Sequence, residues 1–265
     1  MTHSSWLTAA TRFGSRFIAR LPFGRQRWCN ICHRQLRRFL PYRGGWRDMP
    51  EVVQKLDIIG SDVQNFECPW CGCHDRERHL LMYLEASGRL QLFRNSKILH
   101  FAPEHHLRCL IQSTNPAEYI GADLFPMNPE VQKIDIQNIS YPEEYFDFVI
   151  ANHVLEHVED EELALREIIR VLRPGGHAIL QTPYARCLST TLADHAINTA
   201  SARLAAYGQE DHVRLFGADI VGQFERSGLS AMVCTHADLL TEIDPVRTGV
   251  NTAEPFFLFQ RPLCP

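Results

Sequence analysis

Between residues 97 and 182 the chain alternates short apolar runs with longer segments of helical spacing. That alternation restricts the fold more than any other feature of its 265 residues. Lys97-Ile-Leu-His-Phe-Ala102, Glu118-Tyr-Ile-Gly-Ala-Asp-Leu124, Val131 to Ile136, Phe146-Asp-Phe-Val-Ile-Ala-Asn152 and His177 to Thr182 read as buried strands. Glu104 to Ile111 reads as a helix, and so does Glu159 to Leu172, where Leu165, Ile168, Ile169 and Leu172 fall on one face. Asp160, Glu161 and Glu162 favour the positive N-terminal end of the second helix, and Pro174-Gly175-Gly176 is expected to stop it. Helices over Glu77 to Leu92 and Ala218 to Ser227 flank this region. Two late strands, Ala231 to Ala237 and Phe256 to Gln260, lack a helix-length apolar pattern between them and predict a closing antiparallel pair. Strands interleaved with helices require a parallel sheet covered on both faces. The expected fold is α/β, a seven-stranded doubly wound Rossmann-like sheet preceded by a small zinc-binding module.

The module is inferred from cysteine spacing. Cys29 and Cys32 form one C-x-x-C pair, Cys68 and Cys71 a second. Two intervening residues let both thiolates of a pair reach one tetrahedral ion, and two pairs complete a closed structural zinc site. Gly72 follows the second pair, where such a turn often needs a positive φ. Cys73, His74 and His33 stand close enough to substitute, and unligated or redox thiols are the competing reading. Four thiolates leave no open coordination position, so no catalytic metal is expected there.

Charge is distributed unevenly. Residues 1–47 hold ten Arg and no Lys, Asp or Glu, while the whole chain carries −4, which leaves −14 for the remainder. A basic head of this kind suits phosphates, an anionic membrane surface or an acidic partner protein. Trp6, Leu7, Phe13, Phe17, Ile18 and Leu21 among Arg12, Arg16 and Arg20 could form a basic amphipathic helix or a transit segment. No run of 18 apolar residues is present, which argues against a membrane-spanning helix. The nine cysteines without a secretory signal point to a reducing, cytoplasmic setting. The expected divisions are a basic segment (1–27), the zinc module (28–76) and a catalytic domain (77–265).

The block Phe146-Asp-Phe-Val-Ile-Ala-Asn-His-Val-Leu-Glu-His157, with Arg166-Glu-Ile-Ile-Arg-Val-Leu-Arg-Pro-Gly-Gly176 after it, resembles the class I S-adenosylmethionine-dependent methyltransferases of the type 11 group. The resemblance covers about residues 95–260. The Cys pairs together with Leu99-His-Phe-Ala-Pro-Glu104 are similar to a bacterial subgroup of that family. In open α/β sheets the ligand lies beyond the carboxyl ends of the strands. Phe101 and Ala102 would then face the methionine part of the cofactor and Glu104 its ammonium, while Asp123, with Leu124 after it, would accept the ribose hydroxyls. The resemblance further implies Asp135 and Ile136 beside the adenine, and Asn152 and His153 beside the transferring methyl. One departure stands out. The family has a Gly-rich turn after its first strand, whereas His100-Phe-Ala-Pro-Glu-His-His106 contains no Gly.

His212, in Gly208-Gln-Glu-Asp-His-Val-Arg-Leu-Phe216, and His153 are the candidate catalytic bases, imidazole being able to take a proton near neutral pH. A salt-bridge loop is the alternative for that stretch. His153 and His157, at i and i+4, lack the order of a metalloprotease helix. Cys187 to Tyr207 is expected to form a helix or lid. The favoured activity is methyl transfer to an O- or N-acceptor of a small molecule or glycan precursor, because the catalytic portion is acidic. The alternatives are an RNA methyltransferase gripping nucleic acid through the module and basic head, or a scaffold that has lost its cofactor.

Overall fold

The computed structural model describes residues 15–263 apart from 22, 23 and 25. Residues 1–14, with Arg12, and residue Arg25 of the basic head lie outside the described residues. Residues 15–20 are helical, with Phe17 and Ile18 exposed and Ala19 buried. The hairpin of β1 (Arg27–Cys29) and β2 (Arg34–Leu36) carries the first Cys pair, and β3 (Ile58–Ile59) follows in the same module.

The catalytic portion holds β4 (Lys97–Phe101), β5 (Glu118–Asp123), β6 (Val131–Lys133), β7 (Phe146–Ala151) and β8 (Leu172–Ile179). Three strands come later: β9 (Tyr184–Ala185), β10 (Ser230–Ala231) and β11 (Leu258–Gln260). Seven of these make one sheet in the order β10-β11-β8-β7-β4-β5-β6. β6, β5, β4, β7 and β8 run parallel, while β11 is antiparallel to both β8 and β10. The order reverses between β4 and β7, which opens a crevice at their carboxyl ends. Away from the sheet, β3 pairs antiparallel with β9 and so ties the module to the segment after β8.

Burial explains the composition of the central strands. Every residue of β7 is buried. Leu99, Phe101, Val149 and Ala151 enter the core on one face with Leu165, Ile168 and Phe224. Ile98, Phe148 and Ile150 enter the core on the other with Leu80, Leu84 and Phe256. Both periods, two along the strands and 3.6 along the helices, are satisfied at once.

Several expected boundaries shift. The first long helix is two, Asp75–Ala86 and Arg89–Leu92, separated at Gly88 with φ +72°. The helix over 161–171 ends at Leu172, which is already extended, and β8 begins there rather than after Pro-Gly-Gly. Pro174 disfavours helical geometry in its predecessor, so the chain turns into a strand ahead of the glycines. β6 stops at Lys133, and β10 is only two residues long because His236–Leu239 forms a short helix. Of the segment after Cys187, residues 200–207 are helical. No helix among the described residues is long and apolar enough to cross a membrane.

Candidate active site and metal centre

β4 leaves the sheet at Phe101, and Ala102 takes φ +45°, a left-handed conformation that glycine ordinarily supplies. A left-handed turn is therefore made here with an alanine, which is exposed to solvent. Pro103 and Glu104 follow, and Glu104 is the N-cap of helix His105–Ser113. Asn152, at the end of β7, donates through Nδ2 to Glu104 Oε1 at 2.8 Å. Arg76 Nε lies 3.3 Å from Oε1 and His100 Nε2 3.5 Å from Oε2. Burial pushes the Glu104 carboxyl up, but His100 and Arg76 outweigh it and hold it below its ordinary value. Glu104 Oε2 and Asn152 Oδ1 are buried without a hydrogen-bond partner. Two acceptor oxygens left orphaned at adjacent strand tips fit an incoming ammonium group.

Asp123 ends β5, half-buried. Among the described residues its carboxylate accepts one hydrogen bond, from Phe125 N at 2.8 Å. It retains the capacity for a pair of hydroxyls, and Leu124 beside it is exposed. Asp135 is more fully used: its Oδ1 accepts from Gln137 N at 2.9 Å and Gln137 Nε2 at 3.3 Å. Ile136 packs in the core with Ile134 and Ile139. Asp123, Ala102, Glu104 and Asn152 together fit S-adenosylmethionine.

A buried chain of ionisable groups begins beside Asn152. His153, with φ +55°, places Nδ1 3.4 Å from Glu156 Oε1 and Nε2 3.4 Å from Glu254 Oε1. Glu254 Oε2 lies 3.3 Å from His79 Nδ1, and His79 Nε2 is 3.0 Å from His236 Nδ1. Thr182 Oγ1 donates to Glu156 Oε2 at 2.9 Å. Burial acts to lower the His153 pKa, but the two carboxylates prevail and raise it to about 9. Burial acts the opposite way on Glu156 and Glu254, and His153 holds each down at about 2. The carboxylates beside His153 thus favour its protonated form, which donates rather than accepts a proton. Glu156 and Glu254 were not singled out in the sequence. Glu156 sits inside the quoted family block, but nothing local marks Glu254, which is 101 positions beyond His153.

Above this chain lies a cavity of about 430 Å³. Its polar wall holds Arg76, His153, Glu156, His157 and His212. Its apolar wall is built by the N-terminal module through Tyr42, Trp46, Met49, Val53, Ile58, Val63 and Phe66. His212 is buried, which keeps its pKa below the ordinary value and the imidazole neutral, and its Nδ1 has no partner. Its neighbours have structural attachments: Glu210 pairs with Arg43 at 2.9 Å, and Asp211 Oδ2 lies 3.3 Å from His157 Nδ1. Arg214 is buried and donates to the carbonyls of Leu155 and Glu159 at 2.8 and 3.1 Å. The loop expected over the strand tips is there, with His212 turned inward and Arg214 serving as a brace.

The four expected cysteines converge. The Sγ atoms of Cys29, Cys32, Cys68 and Cys71 all lie within 4.8 Å of one another, with Cys29–Cys71 and Cys32–Cys68 each at 3.9 Å. A tetrahedral zinc with bonds of ~2.3 Å places its sulfurs about 3.8 Å apart, so the cluster fits that ion. Cys73 is also buried, its Sγ 3.4 Å from that of Cys29. The hydrogen bond with Cys29 holds the Cys71 thiol down at about 6, whereas burial pushes Cys32 up to about 11. Thiols packed this closely compete for protons, and a cation relieves that competition.

A parallel sheet closed by one antiparallel strand, with an acid ending the second strand and a tight turn after the first, defines a methyltransferase-type nucleotide-binding fold. A family model described as a methyltransferase domain matches residues 74–232, and the chain belongs to that family. The chain thus carries a methyltransferase domain over residues 74–232.

Ajmaline N-methyltransferase from Rauvolfia serpentina is 29% identical over 97 residues, 34% of this chain and 33% of that protein. The ubiquinone/menaquinone biosynthesis C-methyltransferase UbiE from Vibrio vulnificus is 32% identical over 53 residues, 20% of each. The chain spans about a third or less of the length of these relatives. Among solved structures, an S-adenosylmethionine-dependent methyltransferase from Mesorhizobium loti aligns at 17% identity over 68% of this chain and 97% of that one, with TM-score 0.46. The 1,6-didemethyltoxoflavin-N1-methyltransferase from Burkholderia thailandensis, solved with S-adenosylhomocysteine, aligns at 14% identity over 68% and 78%, also with TM-score 0.46.

Proposed function

We propose that this enzyme transfers a methyl group from S-adenosylmethionine to an oxygen or nitrogen of a small-molecule or glycan-precursor acceptor held in the 430 Å³ cavity. The observation that carries the reading is the cavity itself. Its volume falls within the ~300–1,000 Å³ of small-ligand sites, and its walls divide into an apolar side and a polar side as such sites do. The acidic catalytic portion favours this acceptor class over RNA.

S-adenosylmethionine supplies an electrophilic methyl on a sulfonium. Asp123 accepts the ribose hydroxyls, Glu104 and Asn152 accept from the ammonium, and the Phe101–Ala102 turn lets the backbone approach. The segment with Leu124, Asp135 and Ile136 flanks the base. With S-adenosylmethionine bound, the acceptor's lone pair would take the methyl as the carbon–sulfur pair returned to sulfur, and His212 would take the acceptor's proton. Holding the reactants in line supplies much of the rate in such a displacement. The zinc module (28–76) and the catalytic domain (77–265) act as one unit, since both form the cavity. Zinc at Cys29, Cys32, Cys68 and Cys71 is structural in this reading.

Isothermal titration of the zinc-loaded protein with S-adenosylmethionine tests the cofactor assignment. Binding that Asp123→Ala weakens at least tenfold, with an unchanged melting temperature, supports it. Failure of the folded protein to bind would overturn it and leave a binding scaffold.

A further inference from the structure

Beneath the cavity, three side chains converge without bonding to one another. One ligand atom from each of Glu156, His157 and His212 lies within 4.8 Å of the other two. Among the described residues neither imidazole forms a hydrogen bond with the Glu156 carboxylate. Their surroundings instead fix them as if around a gap. Thr182 Oγ1 holds Glu156 Oε2 at 2.9 Å, and Asp211 lies 3.3 Å from His157 Nδ1, which leaves Nε2 unengaged. The His157 and His212 rings stand edge to face, 4.7 Å apart. His212 is more than nine-tenths buried, and its Nδ1 has no partner.

We propose that Glu156, His157 and His212 form a divalent-cation site in the wall of the acceptor cavity, distinct from the cysteine cluster. Two imidazoles and one carboxylate suit a borderline divalent ion at ~2.0–2.2 Å, and three protein ligands leave coordination positions open to the cavity. A carboxylate behind a ligating imidazole, as Asp211 stands behind His157, is the usual support for such a ligand. This inference rests on the acceptor-cavity reading and changes His212 from a base into a ligand. An acceptor hydroxyl on the ion would lose its proton to cavity water, because coordination lowers its pKa. Its oxygen pair then forms the bond to the methyl carbon while the carbon–sulfur pair stays on sulfur.

The test uses full-length protein carrying one zinc on its cysteines, titrated with Mn(II) and followed by electron paramagnetic resonance of the free ion. The expected result is one further ion per chain, bound at least tenfold more weakly by His157→Ala and by His212→Ala but normally by Asp123→Ala. Titration of the same samples with S-adenosylmethionine reports whether each variant is folded and cofactor-competent. No additional ion in protein that binds S-adenosylmethionine overturns the cation site and leaves the cavity reading standing. Manganese binding indifferent to both histidine variants overturns it equally. Loss of cofactor binding in the parent protein would instead strike the underlying reading.

Discussion

The guanidinium of Arg78 lies 3.8 Å from the ring centroid of Phe39, and none of its side chain reaches solvent. It donates to the carbonyls of Asn65, Phe66 and Cys73 in the module, and to those of Thr248 and Gly249 near the other end of the chain, at 2.5–3.2 Å. One cation therefore satisfies acceptors on segments at least 175 positions apart. Arg78→Met should destabilise the protein by ~3–5 kcal/mol, since five buried carbonyls lose their donor. Arg78→Lys should recover little, because an ammonium lacks the planar fork. Urea denaturation read by tryptophan fluorescence measures both.

The His153–Glu156–Glu254 group makes stability depend on pH in two limbs. His153 is raised from 6.5 to about 9, so its contribution is complete below pH 6.5 and disappears as pH climbs through 9. Glu156 and Glu254 are lowered from 4.5 to about 2, so theirs is complete above pH 4.5 and disappears as pH falls through 2. The contribution of this group alone to denaturation midpoints should therefore be complete between pH 4.5 and 6.5. His153→Gln should flatten the alkaline limb; an unchanged slope there would show that His153 is not held as a cation.

Cys73 stands close enough to the cluster to act as a reserve ligand. Cys71→Ser should retain about one zinc per chain, with Cys73 rotating into the vacated position, whereas Cys71→Ser combined with Cys73→Ser should lose the ion. Cys29→Ser alone should also retain it, since Cys73 Sγ lies only 3.4 Å from Cys29 Sγ. Zinc content by atomic emission after dialysis distinguishes these outcomes.

Gly208 ends the helix Ala200–Tyr207 with φ +87°, and a Cβ there would lie 2.6 Å from Val53 Cγ2. Gly208→Ala should cost about 1–2 kcal/mol, because alanine is strained at positive φ. It should also press Val53 into the cavity. Acceptor affinity should then fall while S-adenosylmethionine affinity, set on the far side of the strand tips, stays unchanged.

The central strands and the helix over 161–171 were legible because local periodicity and burial coincide there. β8 was not, since its opening residues include Pro174 and two glycines that propensity assigns to a turn, yet the glycines bond to Arg261 beyond β11 while the register against β7 shifts past them. The convergence of Cys29, Cys32, Cys68 and Cys71 was readable from spacing alone. The apolar wall of the cavity was not: Tyr42, Trp46 and Phe66 become a wall only when β3 pairs with β9, a contact more than 120 positions distant. Glu254 escaped for the same reason. Ala102 shows a different limit: its residue type argued against a tight cofactor turn, but the backbone pays for the left-handed conformation without glycine.

The pairing of β3 with β9 has a consequence for how such a chain is inherited. A recombination junction near residue 76 would look harmless on the primary structure, separating cysteines from catalytic strands. It would hand one descendant half a pocket and the other the remaining half. The cysteine-bearing piece is therefore no interchangeable cassette: residues 42–66 and residues 153–215 line one cavity, and neither side makes it alone.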